Sequence, residues 1–268
     1  MERSAVAAEN AFGAGTYREA TGPNRSKHGA IANENVPSEA PRKSLESGLP
    51  LTLYREAPVM PVHGPGRRAN LVIKRAIDIV LSGGALLAMS LVLLATAAAV
   101  KLTSPGPILF RQFRPGLNGV MFPMFKFRTM YTDKGDASGV KQTVANDPRI
   151  TSIGAFLRRT SLDELPQLVN ILLGHMSLVG PRPHPANMLA AGVDYRELVP
   201  YYETRYAMKP GLSGWAQANG LRGPTDDAAK AKARISHDLA YIQNFSIALD
   251  VKIILRTIIR EFVSGSGS

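Results

Sequence analysis

The chain has 268 residues, 45% of them apolar, enough for a real core in one or two domains. Its 32 Lys and Arg against 21 Asp and Glu leave a net charge of +11, which suits an anionic membrane surface, an anionic substrate or a nucleic acid. There are no cysteines, so disulfides, thiolate metal sites and cysteine nucleophiles are excluded, and the five scattered histidines show no zinc spacing.

Residues 1–68 are rich in Ala, Gly, Pro, Ser, Asn and charge, with little apolar periodicity, and are expected to be a disordered cytoplasmic tail. The first residues lack the basic start and apolar run of a signal peptide. Arg67, Arg68, Lys74 and Arg75 then precede 22 uncharged residues, Ile79 to Val100. At ~1.5 Å per residue that run is roughly 33 Å long, enough to cross a bilayer. A spanning helix with its basic flank in the cytoplasm would carry the rest of the chain outside the cell. A re-entrant helix would need a break, and Gly83-Gly84, Ser90 and Thr96 are the weak points on offer. Asp78 stands at the membrane entrance and is expected to pair with Lys74 or Arg75 at helical spacing.

Ile108–Arg114 and Val120–Met130 read as a β-hairpin closed by Pro115-Gly116-Leu117-Asn118-Gly119. Pro123 marks the second strand as irregular or at an edge. Lys126 and Arg128, two apart, are expected to share one face of it. Residues 131–150 are polar and loop-like, and 150–159 reads as a short helix.

The segment Arg158–Pro183 carries the most chemistry. It reads RRTSLDELPQLVNILLGHMSLVGPRP. Leu162, Leu165, Leu168, Val169, Leu172 and Leu173 recur at helical spacing. Ser161 and Glu164 have the spacing of a capping box, although Pro166 then falls at an interior position; alternatively the helix starts at Pro166. Either register puts Asp163 and Glu164 at the positive end of the helix, flanked by Arg158, Arg159 and Arg182. An ionised Asp can attack phosphorus, its neighbour can hold a divalent cation, and the arginines can neutralise a diphosphate. Solvated acids on a capped helix would look similar.

Downstream, His184 follows the PRP turn and reads as a structural histidine or a substrate contact. Tyr195–Met208 is a helix broken at Pro200, and Lys209–Gly220 is Gly-rich and holds the one Trp. Two helices follow, at 228–245 and 248–262. In the second, Val251, Ile254, Leu255, Ile258, Ile259 and Phe262 form an apolar stripe opposite Lys252, Arg256 and Arg260, a pattern that suits a membrane interface or a core helix with a basic outer face. Residues 263–268 are expected to fray.

Across Lys74 to Arg256 the strings FKFRTM, SLDELPQ, N-x-L-x-G-x-MSLVGPRP, PGLSGWAQANG and FSIALDVK occur in order, and with them the chain resembles the bacterial polyprenyl-phosphate hexose-1-phosphate transferases, in their short form. The resemblance implies an α+β, mainly helical fold: a re-entrant membrane helix (residues 69–103), then a cytoplasmic catalytic domain (104–262) with a small β-hairpin, a helical core and interfacial amphipathic helices. In that family a Ser-Pro pair commonly breaks the helix; here the matching place reads Ser90-Leu91. The implied reaction moves hexose-1-phosphate, glucose-1-phosphate by preference, from a UDP-sugar to undecaprenyl phosphate at the cytoplasmic face of the inner membrane, with release of UMP and the use of Mg²⁺. It implies Asp163 as nucleophile, Glu164 with Asp163 as metal ligands, Lys126 as support for the acids, Arg158 and Arg182 as charge stabilisers, and Arg128, Gln217, Asn219 and Arg222 near the substrate. Asp250 falls in the FSIALDVK string as a structural or cofactor-related residue. A homodimer is consistent with the short form.

Galactose-1-phosphate is the alternative sugar. Two readings of other classes are a non-catalytic membrane adaptor for polysaccharide assembly and a nucleic-acid binder. The adaptor has no need of adjacent acids among arginines. The basic residues accompany an apolar run and an amphipathic helix, so membrane lipids explain them better than nucleic acid.

Overall fold

The computed structural model describes residues 65–134, 143–144 and 147–264. The expected N-terminal tail lies outside them up to residue 64, as do parts of the 131–150 loop and the last four residues.

Helix α1 (Pro65–Ala88) opens on a proline, which needs no backbone donor at a first helical position. Helix α2 (Ser90–Thr103) follows after Met89, and the chain bends there by 64°. The break falls beside Ser90, one of the expected weak points, rather than at the Gly83-Gly84 pair. Among the described residues no single helix is long and apolar enough to cross a membrane; the bent pair together has the length and composition.

Both arms are tied at their outer ends to the rest of the molecule. In α1, Lys74 pairs with Asp250 at 2.5 Å, and Tyr241 donates to the same carboxylate at 2.7 Å. Arg75 donates to the Ile171 and Leu172 carbonyls at 2.6 and 2.8 Å. Asp78 accepts from Ser177 Oγ at 3.1 Å and the Leu178 amide at 2.9 Å. This corrects the expected pairing of Asp78 with Lys74 or Arg75, whose side chains are spent on other elements. At the far end of α2, Arg128 donates to the carbonyls of Val100, Ser104 and Pro105. The apex between these anchors is apolar and exposed, including Leu81, Leu87, Leu91 and Leu94.

Strands β1 (Leu109–Pro115) and β2 (Met121–Phe127) form the expected hairpin, in continuous antiparallel register from Leu109 opposite Phe127 to Pro115 opposite Met121. Asn118, with φ 54°, and Gly119 close its turn. Pro123 is accommodated as in an edge strand: its carbonyl accepts from Asn170 Nδ2 at 2.7 Å, and Asn170 Oδ1 takes the Phe125 amide at 2.9 Å. Because β2 ends at Phe127, alternation does not extend to Arg128, and Lys126 and Arg128 part company.

Helix α3 (Ser152–Arg159) starts at Thr151, whose hydroxyl accepts from the Gly154 amide at 2.9 Å. A single 3₁₀ turn (Leu162–Glu164) and the short helix α4 (Gln167–Leu172) follow. Strand β3 (Ser177–Val179) pairs in parallel with a later strand, Gly211–Ser213. Between them lie β4 (Leu189–Ala190), β5 (Val193–Asp194), helix α5 (Tyr195–Leu198) and a 3₁₀ stretch (Tyr202–Ala207). The break at Pro200 is where the sequence places it. Strand Gly211–Ser213 is β6; then come α6 (Trp215–Ala218), α7 (Ala228–Gln243) and α8 (Ile247–Ser264). Helix α8 continues through Ser264, two residues into the segment expected to fray.

The largest apolar cluster joins Tyr195, Tyr202, Trp215, Ile235, Tyr241 and Ile253. A second packs Phe122 and Met124 of the hairpin on Leu168, Ile171 and Met176. A third packs Val100 and Phe127 on Leu157. Val251, Leu255, Ile258 and Ile259 of α8 face outward, as an apolar surface stripe. Its basic face is divided: Lys252 is exposed, whereas Arg256 lies over the Trp215 ring and donates to Asn219 Oδ1 at 3.4 Å. The side chain of Phe262 lies outside the described set.

Gly154 lets α3 press on the strand end that precedes it. A Cβ there would lie 2.1 Å from the Thr129 carbonyl oxygen, which cannot move without unseating the hairpin. Gly154→Ala is therefore expected to cost about 1–3 kcal/mol, the range for overpacking. Chemical denaturation of the purified variant against the parent reads that loss, and unchanged stability would contradict the fit described.

Candidate active site

Three segments bring their charges to one place: the end of β2, the turn after α3 and the turn after β3. Along β2, Phe122, Met124 and Lys126 alternate onto the face that packs on α4. Lys126 Nζ thereby reaches Glu164 Oε1 at 2.7 Å.

The acids sit in the 3₁₀ turn. The capping box expected of Ser161 and Glu164 does not form. Ser161 makes no side-chain cap; it takes the left-handed conformation, φ 56°, and offers its backbone carbonyl to the Glu164 amide. For a residue with a Cβ this costs on the order of 1–3 kcal/mol. The turn it makes places Glu164 between two cations instead of back on its own helix end. Pro166 caps α4 rather than interrupting it.

Arg182 comes from Gly180-Pro181-Arg182-Pro183. Its guanidinium donates to Glu164 Oε1 at 2.5 Å and to Oε2 at 3.3 Å. Two backbone bonds hold the turn, Gly180 N to Ser213 O at 2.9 Å and Gly211 N to Pro181 O at 3.0 Å. Only glycine allows so close an approach: a Cβ on Gly211 would lie 2.1 Å from the Gly180 nitrogen. Below, Arg205 donates to the Arg182 carbonyl at 2.6 Å and pairs at 2.6 Å with Asp238, both side chains being about 2% exposed.

The two neighbouring carboxyls have opposite environments. Burial works against a charge on Glu164, but Arg182 and Lys126, by proximity and hydrogen bonding, outweigh it and hold the carboxylate well below its usual range. Asp163 is 7% exposed, and among the described residues nothing donates a hydrogen bond to it. Burial raises its pKa; Lys126 and Arg158 oppose the rise and the Glu164 charge adds to it.

Arg158 is fixed by Thr129 Oγ1 at 2.9 Å and Thr143 Oγ1 at 2.8 Å, within electrostatic reach of both acids. Arg128 does not join the group, since its donors cap the end of α2. Gln217, in α6, is buried beside Gly214. Asn219 donates to the Trp215 carbonyl at 2.7 Å, and Arg222 follows on the same loop. His184 is buried between Tyr195 and Tyr202, 3.1 Å from the Tyr202 hydroxyl, and burial with nearby arginines keeps it neutral. Asp250 is an anchor for α1.

Sequence reading missed Arg114, whose side chain feels both Arg182 and Glu164. It also missed the Arg205–Asp238 support. The signal for Arg114 was available: counted back from the hairpin turn, it alternates onto the face that holds Lys126. Arg205 and Asp238 are 33 residues apart and carried none.

The model for the family described as bacterial sugar transferase matches residues 69–264. The chain belongs to that family. It is 58% identical over 198 residues to the exopolysaccharide production protein PSS of Rhizobium leguminosarum bv. phaseoli, covering 74% of this chain and 99% of that one. It is 48% identical over 208 residues to the UDP-glucose:undecaprenyl-phosphate glucose-1-phosphate transferase of Escherichia coli K12, covering 77% of this chain but 44% of the relative. An Aeromonas hydrophila UDP-N-acetylgalactosamine-undecaprenyl-phosphate N-acetylgalactosaminephosphotransferase is 39% identical over 196 residues, 73% of this chain and 45% of that one. The chain thus spans nearly all of the first relative and less than half of the other two.

Among the described residues no group of three or more His, Asp or Glu gathers around one point. A Mg²⁺ ion nonetheless fits beside Asp163, because such ions bind through one or two carboxylates and complete their shell with water and substrate phosphate. The Asp163 carboxylate accepts no hydrogen bond among the described residues, and Glu164 Oε2 carries only the long Arg182 contact.

The opposite environments give opposite expectations for isosteric changes. The folded state holds the Asp163 proton more tightly than the unfolded chain does, so the ionised group costs stability at neutral pH. Asp163→Asn should raise the melting temperature at pH 7–8, with the gain fading as pH falls through the raised pKa. Glu164 stabilises the fold when ionised, above its ordinary pKa of 4.5, and that contribution is lost as pH drops further. Glu164→Gln should cost roughly 1–3 kcal/mol, less than a fully buried broken pair because the site is partly open. Melting curves of the two variants shifting in the same direction would refute this picture.

Proposed function

We propose that the protein transfers hexose-1-phosphate, glucose-1-phosphate by preference, from a UDP-sugar to undecaprenyl phosphate, as the first membrane step of exopolysaccharide assembly. The observation that carries the mechanism is the adjacent pair of acids: one clamped and ionised by two cations, the other desolvated and unbonded. The activities named for the relatives supply the substrates.

Asp163 attacks the β-phosphorus of the donor. The bond from that phosphorus to the oxygen bridging to the α-phosphate breaks, and UMP leaves with the electron pair. The sugar phosphate stays on the carboxylate as an acyl phosphate. An oxygen of undecaprenyl phosphate then attacks the same phosphorus, the acyl-phosphate bond breaks, and the carboxylate is restored. Burial makes Asp163 a poorly solvated and so a stronger nucleophile once ionised. Glu164 holds Lys126 and Arg182 in place, and Arg158 and Arg182 offset the charge on the phosphoryl oxygens. Mg²⁺, held by Asp163 and Glu164 with the donor's phosphates, would neutralise diphosphate charge.

We infer also that α1 and α2 form a re-entrant wedge. The anchors of both arms lie in the same body, through Lys74 and Asp78 on one side and Arg128 on the other, which supports ends at one face. Two arms meeting at a 64° bend can enter and leave one surface at about 32° to its plane. The 14 residues of α2, ~21 Å long, would then reach a depth of about 11 Å, well short of a ~30 Å core. The outward stripe of α8 would lie in the same interface. The site would face the cytoplasm, where UDP-sugars are made.

Purified protein in nanodiscs, given Mg²⁺ and UDP-glucose labelled in the sugar, should release UMP and retain label without acceptor. Added undecaprenyl phosphate should discharge the label into lipid. Asp163→Asn should lose both half-reactions by at least ~10³-fold, and chelation should stop release until Mg²⁺ is restored. The acidic limb of kcat/KM should lie above the ordinary Asp range, because the reactive form is the ionised one and its pKa is raised. Full turnover by Asp163→Asn would remove the nucleophile, and UMP release with UDP-galactose alone would replace the sugar.

A further inference from the structure

The inner face of the hairpin carries a second cation. Phe110, Gln112 and Arg114 alternate along β1, and their register partners are Lys126, Met124 and Phe122. Directly opposed residues share a face, so Arg114 and Lys126 point to the same side. Four residues of strand separate their levels, roughly 13 Å along the ladder. Lys126 serves the Glu164 end, and Arg114 stands further along, toward the hairpin turn.

Arg114 is set up unlike the other cations of the site. It is half-buried, and its one side-chain partner is Gln112 Oε1, a neutral acceptor two residues away on its own strand. Its Nε is buried with no acceptor. Among the described residues no carboxylate lies within ion-pair distance of it. Glu164 is within electrostatic reach but is already taken by Lys126 and Arg182. Among charged groups, Arg182 acts on it most strongly, as a like charge. A guanidinium desolvated beside another cation, with no anion of its own, costs free energy in the empty protein. The cost is recovered when an anion comes between the two.

We propose that Arg114 is a donor-binding residue, contacting the phosphate of the uridine nucleotide that becomes the leaving group. This rests on the transferase reading and extends it. Glu164 turns Lys126 and Arg182 toward the acids, where the transferred phosphoryl group must sit. Arg114, on the hairpin face that carries Lys126 but further toward the turn, then meets the α-phosphate. A guanidinium suits this position because its fork can bridge two phosphate oxygens. Burial and the Arg182 charge push its pKa below the ordinary arginine value.

The test is the affinity of the nanodisc-held protein for UMP, measured by calorimetry, with initial rates against UDP-glucose and against undecaprenyl phosphate. Losing one charge-assisted bond of ~1.5–3 kcal/mol should weaken UMP binding and raise the KM for UDP-glucose by about 10- to 150-fold in Arg114→Gln. The KM for undecaprenyl phosphate should stay within about twofold. Arg114→Lys should recover part of the nucleotide affinity, which loss of packing alone would not allow. Melting curves select variants that keep the fold. If Arg114→Gln is unfolded, Arg114→Lys carries the test, with the same split expected at about 3- to 10-fold. UMP affinity unchanged in a folded variant, or a defect confined to the lipid substrate, overturns the assignment. Parent protein that binds UMP and turns over while the variants match it refutes Arg114 alone; parent protein that releases no UMP from any UDP-sugar refutes the transferase reading beneath it.

Discussion

Glu164 is the point that joins the hairpin, the 3₁₀ turn and the Pro181–Pro183 turn. Lys126 arrives on a strand, Arg182 on a turn after another strand, and each would repel the other without the carboxylate between them. One acid thus fixes the distance between the hairpin and the Pro181–Pro183 turn. Its neighbour, exempted from any such bond, is left with its lone pairs free. The division of labour follows from chain direction in one 3₁₀ turn: successive residues point to different sides, so one carboxyl can be gripped while the next stays bare. The left-handed Ser161 creates that turn, at a cost of the same order as the stability the Glu164 pairs contribute.

Support radiates outward from that pair in layers of decreasing exposure. Arg205 holds the backbone under Arg182 and is itself neutralised by Asp238, both wholly enclosed. Thr129 and Thr143 hold Arg158. Neutral hydroxyls steady that guanidinium without quenching it, whereas a carboxylate there would have competed with a phosphate. The cations nearest the open space therefore have hydroxyl, amide or shared partners, and the strongest exclusive pair is kept for the interior.

Much of this was legible because the informative residues were contiguous. The acids, the arginines around them, the hairpin with its lysine and the break at Pro200 were each set by local spacing, whereas the break in the apolar run was expected from the resemblance. The failures share a cause as well. The capping box was read from a spacing that also suits a turn, and the competing offer of two cations across the fold won Glu164. Asp78 was given its nearest basic neighbours, yet those were claimed by Asp250 and by α4 carbonyls far along the chain. Arg128 was placed on Lys126's face by extending a strand one residue past its end. Periodicity can assign a side to a residue; it has no access to partners that lie a hundred positions away.

The pairing of Lys74 with Asp250 has a consequence in time. The two are separated by 176 residues. At roughly 5–20 residues per second, a ribosome needs about 9–35 s to make the second after the first. Throughout that interval the apolar arm exists with an uncompensated ammonium near its entrance, and Tyr241, the other holder of the carboxylate, is equally late. The arm formed by α1 is therefore fixed through Lys74 only after α8 has been released. A nascent chain halted before α8 would leave that arm without its Asp250 anchor, where a protease or a chaperone can still reach it.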